Sequence, residues 1–148
     1  MDLIEIIDRV LYNLLEVHPI HTLVVHFPIA LTGAALFFLL LSLWRRNSML
    51  EYVAFANIAL ASISTAAAGL TGLMDNAEIY GGQAPNASTK IVLAIVLLII
   101  TATTAFFRWR NSQLLHSRAR ALYIGAYVIS FLLASVLGFL GGVILYGF

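Results

Sequence analysis

Three of the four histidines in this chain lie within nine residues, in the run His18-Pro-Ile-His21-Thr-Leu-Val-Val-His26. Imidazole is the commonest metal ligand among side chains and a usual axial ligand of haem iron. Asp75, at the end of a later apolar stretch, could bind a metal directly or orient a histidine. The spacing therefore predicts either a b-type haem held by His26, with His21 or His18, or a copper or zinc site formed by all four residues.

The backbone next to His26 is expected to be irregular. Pro28 cannot donate to the carbonyl of Val24, so the helix either kinks there or begins there with Pro28 in its first turn. Irregular backbone below the membrane surface is tolerated only where protein or water covers it. We therefore expect His26 to point into the protein interior.

Each of these residues also has an interpretation that needs no cofactor. His18 and His21 could be interfacial side chains with hydrated tips. His26 could hydrogen-bond a backbone carbonyl freed by the proline, and Asp75 could only end a helix. The residues alone leave these alternatives open.

Four apolar stretches position the candidate residues. Hydrophobic residues make up 61% of the 148-residue chain and charged residues 10%, whereas ordinary soluble domains carry roughly 25% charged residues. A bilayer crossing takes roughly 20 apolar residues, and backbone in lipid must be hydrogen-bonded internally, which favours helices. The sequence predicts one all-α membrane domain, a bundle of four transmembrane helices at 23–43, 52–74, 91–109 and 121–146.

Two further patterns concern the surfaces of these helices. Residues 2–16 combine apolar residues at helical spacing with acidic residues, which predicts an amphipathic helix along the membrane interface. In the last span, Ala134, Gly138 and Gly142 recur at four-residue intervals, which favours close helix packing. Such a face could also admit a flat ligand such as a quinone.

The basic residues predict an orientation. Six of the eight lie in two connections between spans, namely Arg45, Arg46, Arg108, Arg110, Arg118 and Arg120. By the positive-inside rule these connections face the cytoplasm, so both termini and the histidine cluster are expected on the outer side. No further domain accompanies the arginines, so anionic lipid explains them better than nucleic acid does.

Several function classes are disfavoured. The apolar stretches lack a charged residue at their midplane, unlike most ion-coupled transporters. The chain has no cysteine, which excludes thiolate metal sites and covalently attached haem. It also lacks a phosphate-binding loop, a serine nucleophile elbow and an H-E-x-x-H motif. A stand-alone enzyme is therefore not expected.

The run HPIHTLVVHFPIAL resembles the signature of a widespread prokaryotic membrane-protein family catalogued as domain of unknown function 2231. The resemblance continues in G-L-M-D at 72–75 and G-G-V-I-L-Y-G at 141–147. Many members of that family carry another histidine near the start of the third helix, where this chain has Ser88, Thr89 and Lys90. This departure argues against a haem held by facing histidines of one protomer. The family is sometimes joined to iron–sulfur or cytochrome modules, and the resemblance therefore implies redox partners.

The sequence favours a small redox-associated subunit of a prokaryotic cytoplasmic membrane. It would bind b-type haem, copper or zinc at its outer face and transfer electrons within a larger complex or a homo-oligomer, with quinone as a possible partner. The alternative is a cofactor-free accessory subunit of a respiratory or photosynthetic complex, docked through its N-terminal helix.

Overall fold

The fold was analysed in a computed structural model, which describes residues 2–12 and 20–146. The helices are α1 (Leu3–Tyr12), α2 (Ile20–Val24), α3 (His26–Arg45), α4 (Ser48–Glu78), α5 (Ala87–Arg110) and α6 (Arg120–Tyr146), with a short 3₁₀ helix at Leu114–His116. The described residues contain no strand, which confirms the all-α prediction. His18 and the end of the predicted interfacial helix, residues 13–16, lie outside the described residues.

Four helical segments are long and apolar enough to cross a membrane: His21–Arg45, Ser48–Glu78, Ala87–Arg110 and Arg120–Val143. The second is longer than the predicted span of 52–74. It begins early because the Asn47 side chain caps α4, accepting from the backbone N–H of Met49 at 2.9 Å. It continues through Asp75 to Glu78, so Asp75 does not end the helix.

The four long helices form an antiparallel bundle in which α3 and α5 each pack against both α4 and α6. The short helix α2 also packs against α4. The connections α3–α4 and α5–α6 lie at one end, which we call the arginine end. The opposite end, with α2 and the α4–α5 connection, is called the histidine end.

The buried apolar core lies toward the arginine end. It comprises Ala35, Leu39, Ala54, Ile58, Leu115, Tyr123 and Tyr127. Leu115 belongs to the 3₁₀ helix, so the α5–α6 connection itself contributes a core side chain. Burial of Leu115 holds the α5–α6 connection against the bundle, because removing an apolar side chain from water stabilises the fold.

The small-residue face of α6 packs against α3. A Cβ added at Gly138 would lie 2.6 Å from Ile29 Cδ1, and one added at Gly33 of α3 would lie 3.2 Å from Phe131 Cε2. Ala134 is buried. Side chains of the neighbouring helix therefore fill this face, as expected of close helix packing in lipid.

Buried hydroxyl groups inside the bundle are bonded within their own helices. Thr32, Thr65, Thr101 and Thr104 each donate to the carbonyl four residues earlier, at 2.7 to 2.8 Å. Among the side chains that the structure describes, Ser130 Oγ is the buried polar atom without a hydrogen-bond partner.

The α4–α5 connection is organised by Asn76. Its carbonyl accepts from the N–H of Gly82 at 2.7 Å, and its side-chain Oδ1 accepts from the N–H of Ala84 at 3.0 Å. Gly81 and Gly82 have φ of 56° and 81°, a backbone region that glycine adopts without a steric penalty. The connection is exposed over most of its length.

Candidate functional site

His21 lies on α2 and contacts α4 at the histidine end. Its Nδ1 lies 3.1 Å from Thr71 Oγ1. The Thr71 hydroxyl can donate to the carbonyl of Ala67 at 3.1 Å, so its oxygen can accept from the imidazole N–H. The ring lies directly over Gly72, where an added Cβ would be only 2.8 Å from His21 Cε1. The imidazole can approach α4 this closely because Gly72 has no side chain.

Asp75 and Lys90 provide the charged surroundings of His21. Both are close enough to interact with the imidazole electrostatically, and both are half-buried. Of the described side chains, the one hydrogen-bonded to the His21 ring nitrogen is Thr71 rather than Asp75. Asp75 thus lies near His21, as the sequence suggested, and acts on it through charge.

His26 points away from the bundle, so the expectation that it faces the interior is wrong. The structure has Pro28 in the first turn of α3, and its side chain is buried. At about 100° per residue, His26 lies about 200° from Pro28 around the helix and is exposed when Pro28 faces inward. His26 and Pro28 therefore lie on nearly opposite sides of α3.

The imidazole of His26 is held by one backbone hydrogen bond. Its Nδ1 lies 2.6 Å from the carbonyl oxygen of Thr22. A carbonyl can only accept, so Nδ1 carries the proton and Nε2 of the neutral ring is left with a free lone pair. A histidine bonded in this way has a fixed tautomer and one available ligand atom, an arrangement common among metal-binding histidines.

The two described histidines of the cluster do not converge. His21 faces α4, whereas His26 is exposed. Within residues 2–12 and 20–146, no group of three or more His, Cys, Asp or Glu side chains could hold a metal ion. The four-ligand metal site also includes His18, which lies outside the described residues, and it stays a prediction.

The arginine end holds a buried polar network that the sequence analysis did not find. Arg108 of α5 donates from Nε and Nη2 to the two carboxylate oxygens of Glu51 at the start of α4. Glu51 is 4% exposed and Arg108 is 9% exposed. Arg108 is therefore a buried ion-pair partner rather than a free interfacial arginine, and the guanidinium also lies 5.5 Å from the ring centroid of Phe55.

Two tyrosines of α6 extend this network. The Tyr123 hydroxyl donates to Glu51 Oε1 at 2.9 Å and lies 2.9 Å from the Tyr127 hydroxyl. Tyr127 is fully buried, and the two rings meet edge to face at 5.1 Å. The network thus joins α4, α5 and α6. A sequence signal was present, because Glu51 is the one acidic residue in the segments where six arginines gather.

Comparison with known proteins gives a family but no relative with an assigned activity. The sequence profile of a family described as "Predicted membrane protein (DUF2231)" matches residues 17–148. No curated protein and no solved structure matches the chain.

Proposed function

Since the chain belongs to the DUF2231 family of membrane proteins, whose description names no activity, we propose that it is a small redox-associated membrane subunit. In this proposal His26 would hold a b-type haem at the bundle surface through an imidazole nitrogen. The observation that carries it is the exposed His26 ring, with Nδ1 bonded to the Thr22 carbonyl and Nε2 without a hydrogen-bond partner among the residues that the structure describes.

The surroundings of His26 suit an apolar, flat group. Leu23 and Phe27 are 59% and 55% exposed. They lie three residues before and one residue after His26, so the three side chains share one side of the helical segment. An exposed apolar surface around one nitrogen ligand would cover part of a macrocycle and exclude water from the iron.

The remaining ligand is expected from another chain. The imidazole of His21 is packed on Gly72 and bonded to Thr71, on a different side from His26. A haem bound at His26 would therefore lie between this protein and a partner, either a second copy or a subunit of a larger redox complex. The cofactor would supply one-electron chemistry, while His26, oriented by the Thr22 carbonyl, holds it. Quinone is a candidate electron-transfer partner in this proposal, and it would react in two successive one-electron steps.

The positive-inside rule places the histidine end on the outer side of a prokaryotic cytoplasmic membrane in this proposal. Electron transfer at His26 would then occur near the outer surface. The short helix α1 would lie on the same side.

An optical spectrum tests the proposal. We expect the protein, purified in mild detergent, to show a Soret band and, after dithionite reduction, sharp α and β bands. His26→Ala should abolish them, whereas His116→Ala, which removes an exposed histidine at the opposite end, should leave them unchanged. A colourless protein, including when isolated with its native partners, would contradict the haem proposal.

Metal analysis of the same sample separates the cofactors. Stoichiometric copper or zinc without haem would favour the site formed by His18, His21, His26 and Asp75. In that case His21→Ala and His26→Ala should each lower the metal content.

A second candidate function is a cofactor-free accessory subunit. The observation that favours it is α1, on which Leu3, Ile4, Ile6 and Ile7 are exposed. Deleting residues 2–12 should then release the protein from its native complex without changing any optical spectrum, and retention in the complex would contradict this role.

A further inference from the structure

An open cleft of about 640 Å³ lies at the arginine end, opposite His21 and His26. It is lined from both connections of that end. Arg46 and Asn47 come from the α3–α4 connection, Ser112 from the α5–α6 connection, and Arg120 from the first turn of α6. We call this the arginine cleft. Its polar lining is unusual in a chain that is 61% hydrophobic.

The charge in the arginine cleft is not balanced. The cleft contains one acidic side chain, Glu51, and that carboxylate is fully engaged by Arg108 and by the Tyr123 hydroxyl. Of the side chains that the structure describes, none forms an ion pair with Arg46 or Arg120. Two guanidinium groups therefore line the cleft without a counter-charge from the described part of the chain.

The backbone holds Arg46 in an uncommon conformation. Its φ of 53° and ψ of 40° lie in the left-handed region, and its N–H donates to the carbonyl of Ser42 at the end of α3. Glycine is the usual residue at such a helix end, because it adopts this backbone conformation without the steric cost that a side chain carries. This strained backbone at Arg46 supports a function for its side chain.

We propose that the arginine cleft binds an anionic phosphate group through Arg46 and Arg120. The guanidinium fork matches the tetrahedral oxygens of phosphate and forms charge-assisted hydrogen bonds with them. The Ser112 hydroxyl and the Asn47 amide N–H₂ add neutral donors, because the Asn47 oxygen already accepts from Met49. This site is independent of the redox proposal.

Two sources of phosphate fit the position of the cleft. Trp44 and Trp109, at the same end, are 75% and 73% exposed, as expected of aromatic residues at the level of lipid headgroups. A phospholipid headgroup could therefore enter from the membrane, and a soluble phosphate compound could enter from the aqueous side. Both sources present the same ligand group, a phosphate.

Thermal unfolding of the detergent-purified protein tests the site with two probes. Inorganic phosphate represents the soluble source, and phosphatidylglycerol in mixed micelles represents the lipid source, with zwitterionic phosphatidylcholine as the reference. We expect at least one probe to raise the unfolding temperature in a saturable manner. Stabilisation by phosphatidylglycerol alone identifies a headgroup site, and stabilisation by inorganic phosphate identifies a site for soluble phosphates. No saturable effect of either probe overturns the proposal.

Paired variants separate the arginine cleft from general surface charge. In Arg46→Gln/Arg120→Gln the affinity for the active probe should fall at least about tenfold. Arg45→Gln/Arg118→Gln removes two exposed arginines that lie within two residues of Arg46 and Arg120 but do not line the cleft, so its affinity should stay within about twofold of wild type. Equal losses in the two double variants would overturn the proposal.

Chemical protection can be measured on the wild-type protein, so this test does not depend on whether a variant folds. Phenylglyoxal modifies accessible arginines, and mass spectrometry locates the products. The active probe should protect Arg46 and Arg120 while Arg45 continues to react. Protection that is absent, or equal at all three residues, contradicts the proposed site.

Discussion

Glu51 and Arg108, 57 residues apart in the chain, form a bidentate ion pair that joins the start of α4 to the end of α5. Both residues are buried, so each compensates a charge that would otherwise be costly. The pair also gives Tyr123 its acceptor. Among the described residues, it is the one ion pair that also accepts a hydrogen bond from a third helix.

Removing one charge of this ion pair should destabilise the protein more than replacing both charges by apolar groups. Glu51→Ala leaves the Arg108 guanidinium buried without a counter-ion, and we expect a loss of about 3–5 kcal/mol in the free energy of unfolding. The double variant Glu51→Leu/Arg108→Met replaces both charges by apolar groups and should lose less than Glu51→Ala alone. Denaturation in mixed detergent micelles, followed by circular dichroism, measures both. If the loss in the double variant equals the sum of the losses in Glu51→Leu and Arg108→Met, the two charges do not interact.

The hydroxyls of Tyr123 and Tyr127 should contribute unequally to the free energy of unfolding. Tyr123→Phe removes a hydrogen bond to a carboxylate and one to Tyr127, and we expect it to cost about 1.5–3 kcal/mol. Tyr127→Phe removes only the hydrogen bond between the tyrosines and should cost about 0.5–1.5 kcal/mol. The same denaturation assay gives the order, and a larger loss for Tyr127→Phe would contradict the described network.

The approach of His21 to Gly72 predicts a specific steric coupling. In Gly72→Ala the new Cβ would lie 2.8 Å from His21 Cε1, so the imidazole must move, at a cost of about 1–3 kcal/mol. In a His21→Ala background the same change should be neutral or stabilising, because alanine favours helix over glycine. Gly69→Ala on the same helix is the control, since nothing lies within 4 Å of its added Cβ. An unchanged cost in the His21→Ala background would rule out this contact.

Ser130 should be replaceable without loss of stability. Its hydroxyl is fully buried and lacks a hydrogen-bond partner among the described residues. Ser130→Ala removes an uncompensated polar group and should leave stability unchanged or raise it by up to about 1 kcal/mol. Ser135→Ala, which removes an exposed hydroxyl bonded to the Phe131 carbonyl on the same helix, should change stability by less than about 0.5 kcal/mol. A clear loss in Ser130→Ala would point to a bound water at this position.

Hydropathy predicted the four membrane helices because a crossing of lipid requires a long uncharged stretch, but it located their ends less well. The predicted second span, 52–74, stopped where charged and polar residues begin. The helix extends to Ser48–Glu78 because Asn47 caps one end and polar residues are compatible with a helix that projects from the membrane.

Hydropathy also did not predict the ion pair between Glu51 and Arg108. Hydropathy treats Glu51 and Arg108 separately, as charges that end two different spans. Only the antiparallel arrangement of α4 and α5 brings them together. The available signal was Glu51, the one acidic residue among the arginines. It indicated that an arginine pairs with this acid but did not identify which one.

The outward direction of His26 required one fact that the sequence does not supply, the inward direction of Pro28. Once Pro28 is placed inward in the first turn of α3, the position of His26 follows from helix geometry. The interior prediction rested instead on the general cost of irregular backbone in lipid. His21 differs, because its contact with Gly72 depends on how α2 packs against α4, which no local pattern specifies.

The two ends of the bundle differ in how they tolerate added sequence. An insertion in the α5–α6 connection would displace Leu115 from the core, whereas one between Gly81 and Gly82 would disturb only an exposed turn and the hydrogen bonds of Asn76. A reporter enzyme that is active on only one side of a membrane can therefore be carried at Gly81–Gly82. Its activity would reveal directly which compartment the histidines face, with the bundle left intact.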